Sequence, residues 1–265
     1  MHGKKIILIL FSIILLVVPA LQGKHQKRKL KDYHGAIGKK LMECYPDFIV
    51  GANYKYITWK DSSIFYLSES EPTASYQYIL ENPKICDEFQ QKYPKGALKS
   101  SPEKDFDPGR IRFDSFFNKM YGASEAEVRK NLIEITWCPK LARQRIKVTR
   151  INGIDKKIAA ISKELDKHPE FKPYVTGIGG TFNWRKISGT DRMSTHSYGT
   201  TIDLNTKYAD YWQWNCNCTD ETADLQYKNK IPEKIVEIFE KYGFIWGGKW
   251  YHYDTMHFEY RPELL

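Results

Sequence analysis

Four apolar residues, Ile154, Ile158, Ile161 and Leu165, recur at i, i+4, i+7 and i+11 inside "NGIDKKIAAISKELDKHPEF". That spacing lays one stripe along a helix and predicts an amphipathic α-helix. A second helix is predicted at "IPEKIVEIFEKYGF". Pro232 suits its first turn, Glu233 its N-terminal end and Gly243 its C-terminal cap, with Ile235, Ile238, Phe239 and Tyr242 on the buried face. Elsewhere the period falls to that of a strand. In "TTIDLN", Ile202 and Leu204 alternate with Thr201, Asp203 and Asn205, so the apolar pair faces a core and Asp203 faces a groove. In "MHFEY", Met256, Phe258 and Tyr260 alternate with His257 and Glu259, after a turn at "HYD" that carries Asp254. Strands with two flanking helices predict an α+β fold with a small antiparallel sheet.

Upstream the patterning is looser, and a mixed N-terminal region is expected. "FIVGANYKYITW" and "SSIFYLS" are strand-like, "ILENPKICDEFQQKY" is helical but interrupted by Pro83, and "SFFNKMYGASEAEVRKNLIEITW" reads as a helix followed by a strand. Residues 24–40 read as a mobile basic arm. The "DPGRIR" run reads as a plain turn, with a role in covering a site as the alternative. The chain is therefore divided into a signal segment (1–20), a basic arm with an N-terminal accessory region (21–145) and a domain over 146–265.

The signal reading rests on "MHGKK", then the apolar run "IILILFSIILLVV", then "VPA". The run is short for a membrane span, which needs roughly 20 apolar residues. An uncleaved anchor is the alternative. The chain has 265 residues, of which 42% are hydrophobic, enough for a sizeable core and against global disorder. Its formal charge of +9 includes Lys4 and Lys5 of the signal segment. A basic exported chain suits an anionic wall polymer, with anionic lipid or a plain solvated tail as alternatives for the arm, and no nucleic-acid partner is expected. Export permits disulfides. Of Cys44, Cys86, Cys138, Cys216 and Cys218, the last two, in "WNCNC", are read as loop or disulfide cysteines before a metal knuckle.

Two histidines and an aspartate, His196, Asp203 and His257, suffice for a divalent-metal site with an open position. His196 can reach Asp203 through the Tyr198-Gly199 turn. A carboxylate beside such a site would move the proton in hydrolysis. On spacing alone, a polar groove with structural histidines stays open as the bland alternative. There is no H-E-x-x-H. Trp246, Trp250 and "YWQW" are candidates to line a groove for substrate, or core aromatics.

The runs "STHSYGTTIDLN", "GFIWGGKW" and "DTMHFEY" together resemble the M15 family of zinc peptidases, over roughly residues 150–265. The family pattern is S-x-H-x-x-G-x-A-x-D, then a carboxylate three residues before a second histidine. This chain has Thr201 where alanine is usual and Asp254 where many members have glutamate. The resemblance implies a D-Ala-D-Ala peptidase or Hedgehog-like catalytic domain over 146–265. It implies Zn2+ held by His196, Asp203 and His257, with Asp254 as general base. Arg185 would steady the scissile carbonyl, with Arg192 as its rival, and Ser194 would hydrogen-bond at the site. Glu259 would support His257 and His252 would lie at the rim. The implied substrates are peptidoglycan stem peptides, cut as an L-Ala-D-Glu endopeptidase or a D-Ala-D-Ala carboxypeptidase in the periplasm or cell envelope of a bacterium. The competing readings are a non-catalytic wall-binding protein on a degenerate peptidase fold and a cysteine peptidase using Cys138.

Overall fold

The computed structural model describes residues 28–265. The signal segment read at 1–20, and the first part of the basic arm, lie outside the described residues. Among the described residues, no helix is long and apolar enough to cross a membrane. The chain forms two compact units, one ending at Ser68 and one running from Glu69 to Leu265.

In the first unit, residues 28–44 form helix α1. Strands β1 (Ile49–Ala52), β2 (Tyr56–Trp59) and β3 (Ile64–Tyr66) follow as an antiparallel sheet in that order. The mobile arm expected over 24–40 is thus corrected for its described part. Ile37, Leu41 and Tyr45 fall at i, i+4 and i+8 and are buried, as are Ile49, Ile57 and Trp59 of the sheet. An amphipathic face of this kind offsets the cost of ordering a helix that would not form alone.

The second unit opens with helices α2 (Tyr76–Glu81), α3 (Asp114–Tyr121) and α4 (Glu125–Arg129). A hairpin follows, with β4 (Leu132–Trp137) antiparallel to β5 (Gln144–Thr149). Then come α5 (Ile154–Leu165), α6 (Lys172–Val175), β6 (Thr201–Asp203), α7 (Trp212–Cys216), α8 (Glu233–Lys241), β7 (Phe244–Trp246) and β8 (His257–Tyr260). The last three strands form an antiparallel sheet of order β6-β8-β7. The chain is α+β, with small antiparallel sheets and packed helices.

Helix α5 follows its stripe: Ile154, Ile158, Ile161 and Leu165 are all fully buried. Each such side chain contributes roughly 1.5–3 kcal/mol of transfer free energy. Helix α8 buries Ile235, Ile238 and Phe239, and the Phe239 ring stacks on Phe258 of β8 at 4.0 Å. Pro232 stands just ahead of the helix as its N-cap, and Gly243 follows its end with φ +93. Tyr242 is only half-buried, and its hydroxyl donates to Glu164 Oε2 at 3.0 Å.

Residues 69–145, assigned from sequence to an accessory region, fold together with 146–265. Their buried polar groups find partners far along the chain, as buried backbone and side-chain donors must. Tyr93 donates its hydroxyl to Glu240 Oε1 at 2.8 Å, and Lys249 Nζ reaches the Pro94 carbonyl at 2.6 Å. The "DPGRIR" run is not a plain surface turn. Asp107, Pro108 and Gly109 are buried, and the Pro108 carbonyl accepts from Trp250 Nε1 at 2.7 Å. Gly109 has φ +99, and a Cβ there would stand 2.3 Å from Ile245 Cδ1. That backbone conformation and that approach favour glycine, and Arg110 and Arg112 just after it line a cavity beside Asp203.

Candidate active site and metal centre

The register of β6 against β8 pairs Asp203 with His257 and Thr201 with Glu259. Strand pairing alone therefore sets one aspartate beside one histidine on a shared face. His196 comes from the 3-10 turn Thr195–Tyr198, where Gly199 N–H donates to the His196 carbonyl at 3.1 Å and reverses the chain. Its Nε2 lies 3.0 Å from Asp203 Oδ2, and His257 Nδ1 lies 3.2 Å from Asp203 Oδ1. One ligand atom from each of the three residues falls within 4.8 Å of the others.

The far side of each imidazole is held. His196 Nδ1 is 2.6 Å from the Thr181 carbonyl, an acceptor, so Nδ1 donates there and Nε2 is the nitrogen left facing the centre. His257 Nε2 is 2.9 Å from Glu259 Oε2. Burial works against the Glu259 anion, but the Arg112 charge, then His257, hold its carboxyl down at about 2. Glu259 is therefore an acceptor at neutral pH, and Nδ1 of His257 faces the centre. Burial disfavours a charged His257, yet its hydrogen bonds to Asp203 and Glu259 push the imidazole up to about 10. Burial also opposes the Asp203 anion, and His196 then His257 hold that carboxyl well below the usual range. The cluster favours a cation at its middle, whether proton or metal. Two imidazole nitrogens and a carboxylate oxygen, each with a held outer shell, fit a zinc-type ion.

Glu259 itself is gripped from several sides. Thr195 Oγ1 donates to its Oε2 at 3.1 Å, Arg261 Nη1 donates to its Oε1 at 3.2 Å, and Arg261 Nη2 donates to Glu88 Oε2 at 2.6 Å. Full burial of Glu259 departs from the open groove face expected for it. The reason is this network, whose Glu88 and Arg112 come from the region ahead of residue 145.

Above the triad lies a cavity of about 440 Å³. Asp254 lines it, its backbone N–H donating to the Gly247 carbonyl at 3.0 Å. Its Oδ1 is buried without a hydrogen-bond partner. Burial first, then the Asp203 charge, push its carboxyl up to about 7. An unsatisfied carboxylate oxygen beside a cation-favouring cluster is placed to accept a proton from a reacting water.

A family model described as D-alanyl-D-alanine carboxypeptidase matches residues 188–260. The match supports an M15-type peptidase over this stretch. No curated protein and no solved structure matches the chain. The M15 stretch contains the triad, Asp254, Ser194 and Arg192, and it ends short of Arg185.

The other residues singled out from sequence divide between the cavity of the M15 stretch and its surroundings. Ser194, Arg185, Trp250 and the 211–214 aromatics line the cavity. The Ser194 hydroxyl accepts the His196 N–H at 3.4 Å, which helps set the histidine. Trp250 is buried, its ring centroid 5.6 Å from that of His257. Trp246 is a core residue instead, stacked on Phe258, with its Nε1 donating to the Thr255 carbonyl at 2.8 Å.

His252 is no rim histidine. It is 1% exposed, with Nδ1 at 2.7 Å from Asp107 Oδ2 and Nε2 at 2.9 Å from the Glu221 carbonyl. Both nitrogens are occupied, which removes it as a ligand. Cys216 and Cys218 form a disulfide rather than a knuckle. Cys138 is buried, and burial pushes its thiol up to about 12, which sinks the cysteine-peptidase reading. A covering role for "DPGRIR" ranked behind a plain turn in the sequence reading, and the structure favours the former, with Arg110 and Arg112 in the cavity wall. The signal was present as two arginines after Pro-Gly, but nothing local aimed them at the M15 stretch.

Proposed function

We propose that this chain is an exported zinc metallopeptidase that hydrolyses peptide bonds in peptidoglycan stem peptides, of the D-Ala-D-Ala carboxypeptidase or L-Ala-D-Glu endopeptidase type. The observation that carries the reading is the pair of imidazoles held on their outer nitrogens, with their inner nitrogens around Asp203. The M15 match supports the peptide class. A D-Ala-D-Ala peptidase or Hedgehog-like domain is the finer fold this implies. Export to a periplasm or cell envelope rests on the apolar N-terminal run and the basic charge.

His196, Asp203 and His257 would hold zinc. When bound, zinc supplies a Lewis acid that polarises the carbonyl and acidifies water. Asp254 takes the proton from the attacking water and returns it to the leaving amine, its unpartnered Oδ1 being the receiving atom. Arg185, at the exposed edge of the cavity, steadies the carbonyl oxygen as charge develops. Ser194 and Trp250 shape the bed on which the peptide lies. Glu259 keeps the His257 ring fixed through the reaction.

The test is digestion of purified muropeptides by the full chain, with and without a chelator. Cleavage should stop on chelation, return with zinc and survive a thiol alkylator. A zinc-free protein that binds wall fragments without cutting them would replace this reading with the wall-binding one.

A further inference from the structure

The first unit carries a groove of its own, of about 390 Å³, between helix α1 and the sheet. Leu30 and Lys31 of α1, Tyr54 and Lys55 of the β1–β2 turn, and Tyr66 and Leu67 line it, above the buried His34. Two small residues bring the helix close to the sheet there. A Cβ on Gly38 would stand 3.1 Å from Ala52 Cβ and Leu67 Cδ1, and one on Gly35 would meet Tyr54 Cβ at 4.0 Å. The rim is apolar and open to solvent. Tyr66 is 67% exposed, and Leu30, Tyr54 and Ile64 are exposed with it. Strand period puts Ile64 and Tyr66 on one face of β3, while Phe65 turns the other way, its ring 5.2 Å from that of Trp59. Contiguous exposed apolar side chains with a polar rim mark an interaction surface. Its charge has one sign. Lys31 Nζ lies 4.9 Å and Lys55 Nζ 5.6 Å from the centre of the Tyr54 ring, and no carboxylate lines the groove. Lys24, Lys27, Arg28 and Lys29 lie just ahead in the sequence.

We propose that this face docks on a bilayer surface that carries anionic lipid, with Lys31 and Lys55 at the headgroup phosphates and Leu30, Ile64 and Tyr66 against the acyl boundary. Lysines that lie over an apolar surface with their ammonium groups in water, and tyrosines at the water boundary, suit the headgroup layer. Clustered lysines add an attraction that depends on lipid charge. An anionic glycan fits the same charges less well. A sugar needs an open ring to stack on and acid or amide side chains for its hydroxyls. The Tyr54 ring already carries two ammonium groups, and neither an acid nor an amide side chain lines the groove. The inference is independent of the peptidase reading, because every residue it uses lies in the first unit.

The experiment uses the zinc-loaded chain from residue 21 onward, which keeps both units and removes the apolar run that would itself hold a bilayer. Co-sedimentation is measured with vesicles of phosphatidylcholine alone and of an equal mixture with phosphatidylglycerol. The wild type should bind the mixed vesicles, bind the neutral ones far less, and release as salt is raised. The double variant Lys31→Gln/Lys55→Gln should lower binding to the mixed vesicles about 30-fold. A control pair, Lys39→Gln/Lys60→Gln, removes the same charge from exposed positions that do not line the groove and should lose much less. Tyr66→Ser removes an exposed ring and should cost about 10-fold at unchanged charge. Tyr66→Trp should gain quenching by brominated acyl chains over the wild type. Equal binding to neutral and mixed vesicles overturns the site, as does an equal loss in the two lysine pairs. Tyr66→Ser binding like the wild type also overturns it, since the contact is then charge alone. Retention on an anionic wall polymer through Lys31 and Lys55, with no vesicle binding, replaces the lipid with a glycan and overturns the proposal too.

Discussion

Strand β8 and residues 107–112 border the same cavity, but they carry polar groups there under different constraints. On β8, His257 and Glu259 are two residues apart on one face, and β6 sets Asp203 and Thr201 opposite them. That arrangement follows from strand period and register. At the 107–112 segment no period operates. Asp107 gives its oxygens to Tyr76 at 2.6 Å and to His252 at 2.9 and 2.7 Å, with Arg110 at 3.5 Å. Arg110 is only three residues on, but Tyr76 and His252 come from distant stretches of chain, His252 from 145 residues away. The floor of the site is thus a local pattern, and its wall is assembled by long-range pairing.

The sharpest way to test that contrast is to remove groups at increasing remove from the triad. His257→Ala takes away one of the proposed ligands and should abolish stoichiometric zinc, read by elemental analysis of the purified protein. Glu259→Gln keeps the shape but weakens the hold on the His257 ring. Its zinc affinity should fall about 10- to 100-fold in competition with a chelator. Unchanged affinity would mean that the outer shell of β8 does not set the ligand.

The wall should register mainly as stability and pH dependence. Burial favours protonated Asp107, but the hydrogen bond from His252, then Arg110, hold its carboxyl down from 3.8 to about 2. A lowered folded-state pKa stabilises above the unfolded value and is lost as pH falls through the folded one. Asp107 should therefore contribute about 2 kcal/mol that is complete above about pH 4 and gone by about pH 2. In Asp107→Asn that part of the acid slope should vanish in denaturant titrations across this window. Identical slopes would show that the wall is not held through this carboxylate.

Much of the floor was legible in the sequence, because alternation in "TTIDLN" and "MHFEY" separates core from groove before any fold is known. The apolar stripes of α5 and α8 were legible for the same reason. Alternation could not say that Glu259 is wholly buried, since its cover comes from Arg112, Arg261 and, beyond them, Glu88. His252 was misplaced for a similar reason. A histidine in a turn looks exposed until Asp107 and the Glu221 carbonyl are folded onto it. Helix α1 was read as a mobile arm because its lysines dominate the local composition. Its Ile37–Leu41–Tyr45 stripe is sparse, but in the fold it is buried.

In the proposed reaction one carboxylate beside the triad moves the proton while the triad alone holds the metal. Asp254→Ala tests it most directly, with zinc content and muropeptide cleavage measured by mass spectrometry on the same preparation. Full zinc occupancy is expected, with hydrolysis reduced by about 10²- to 10⁴-fold. Wild-type cleavage by the zinc-loaded variant would contradict it, as would loss of the metal.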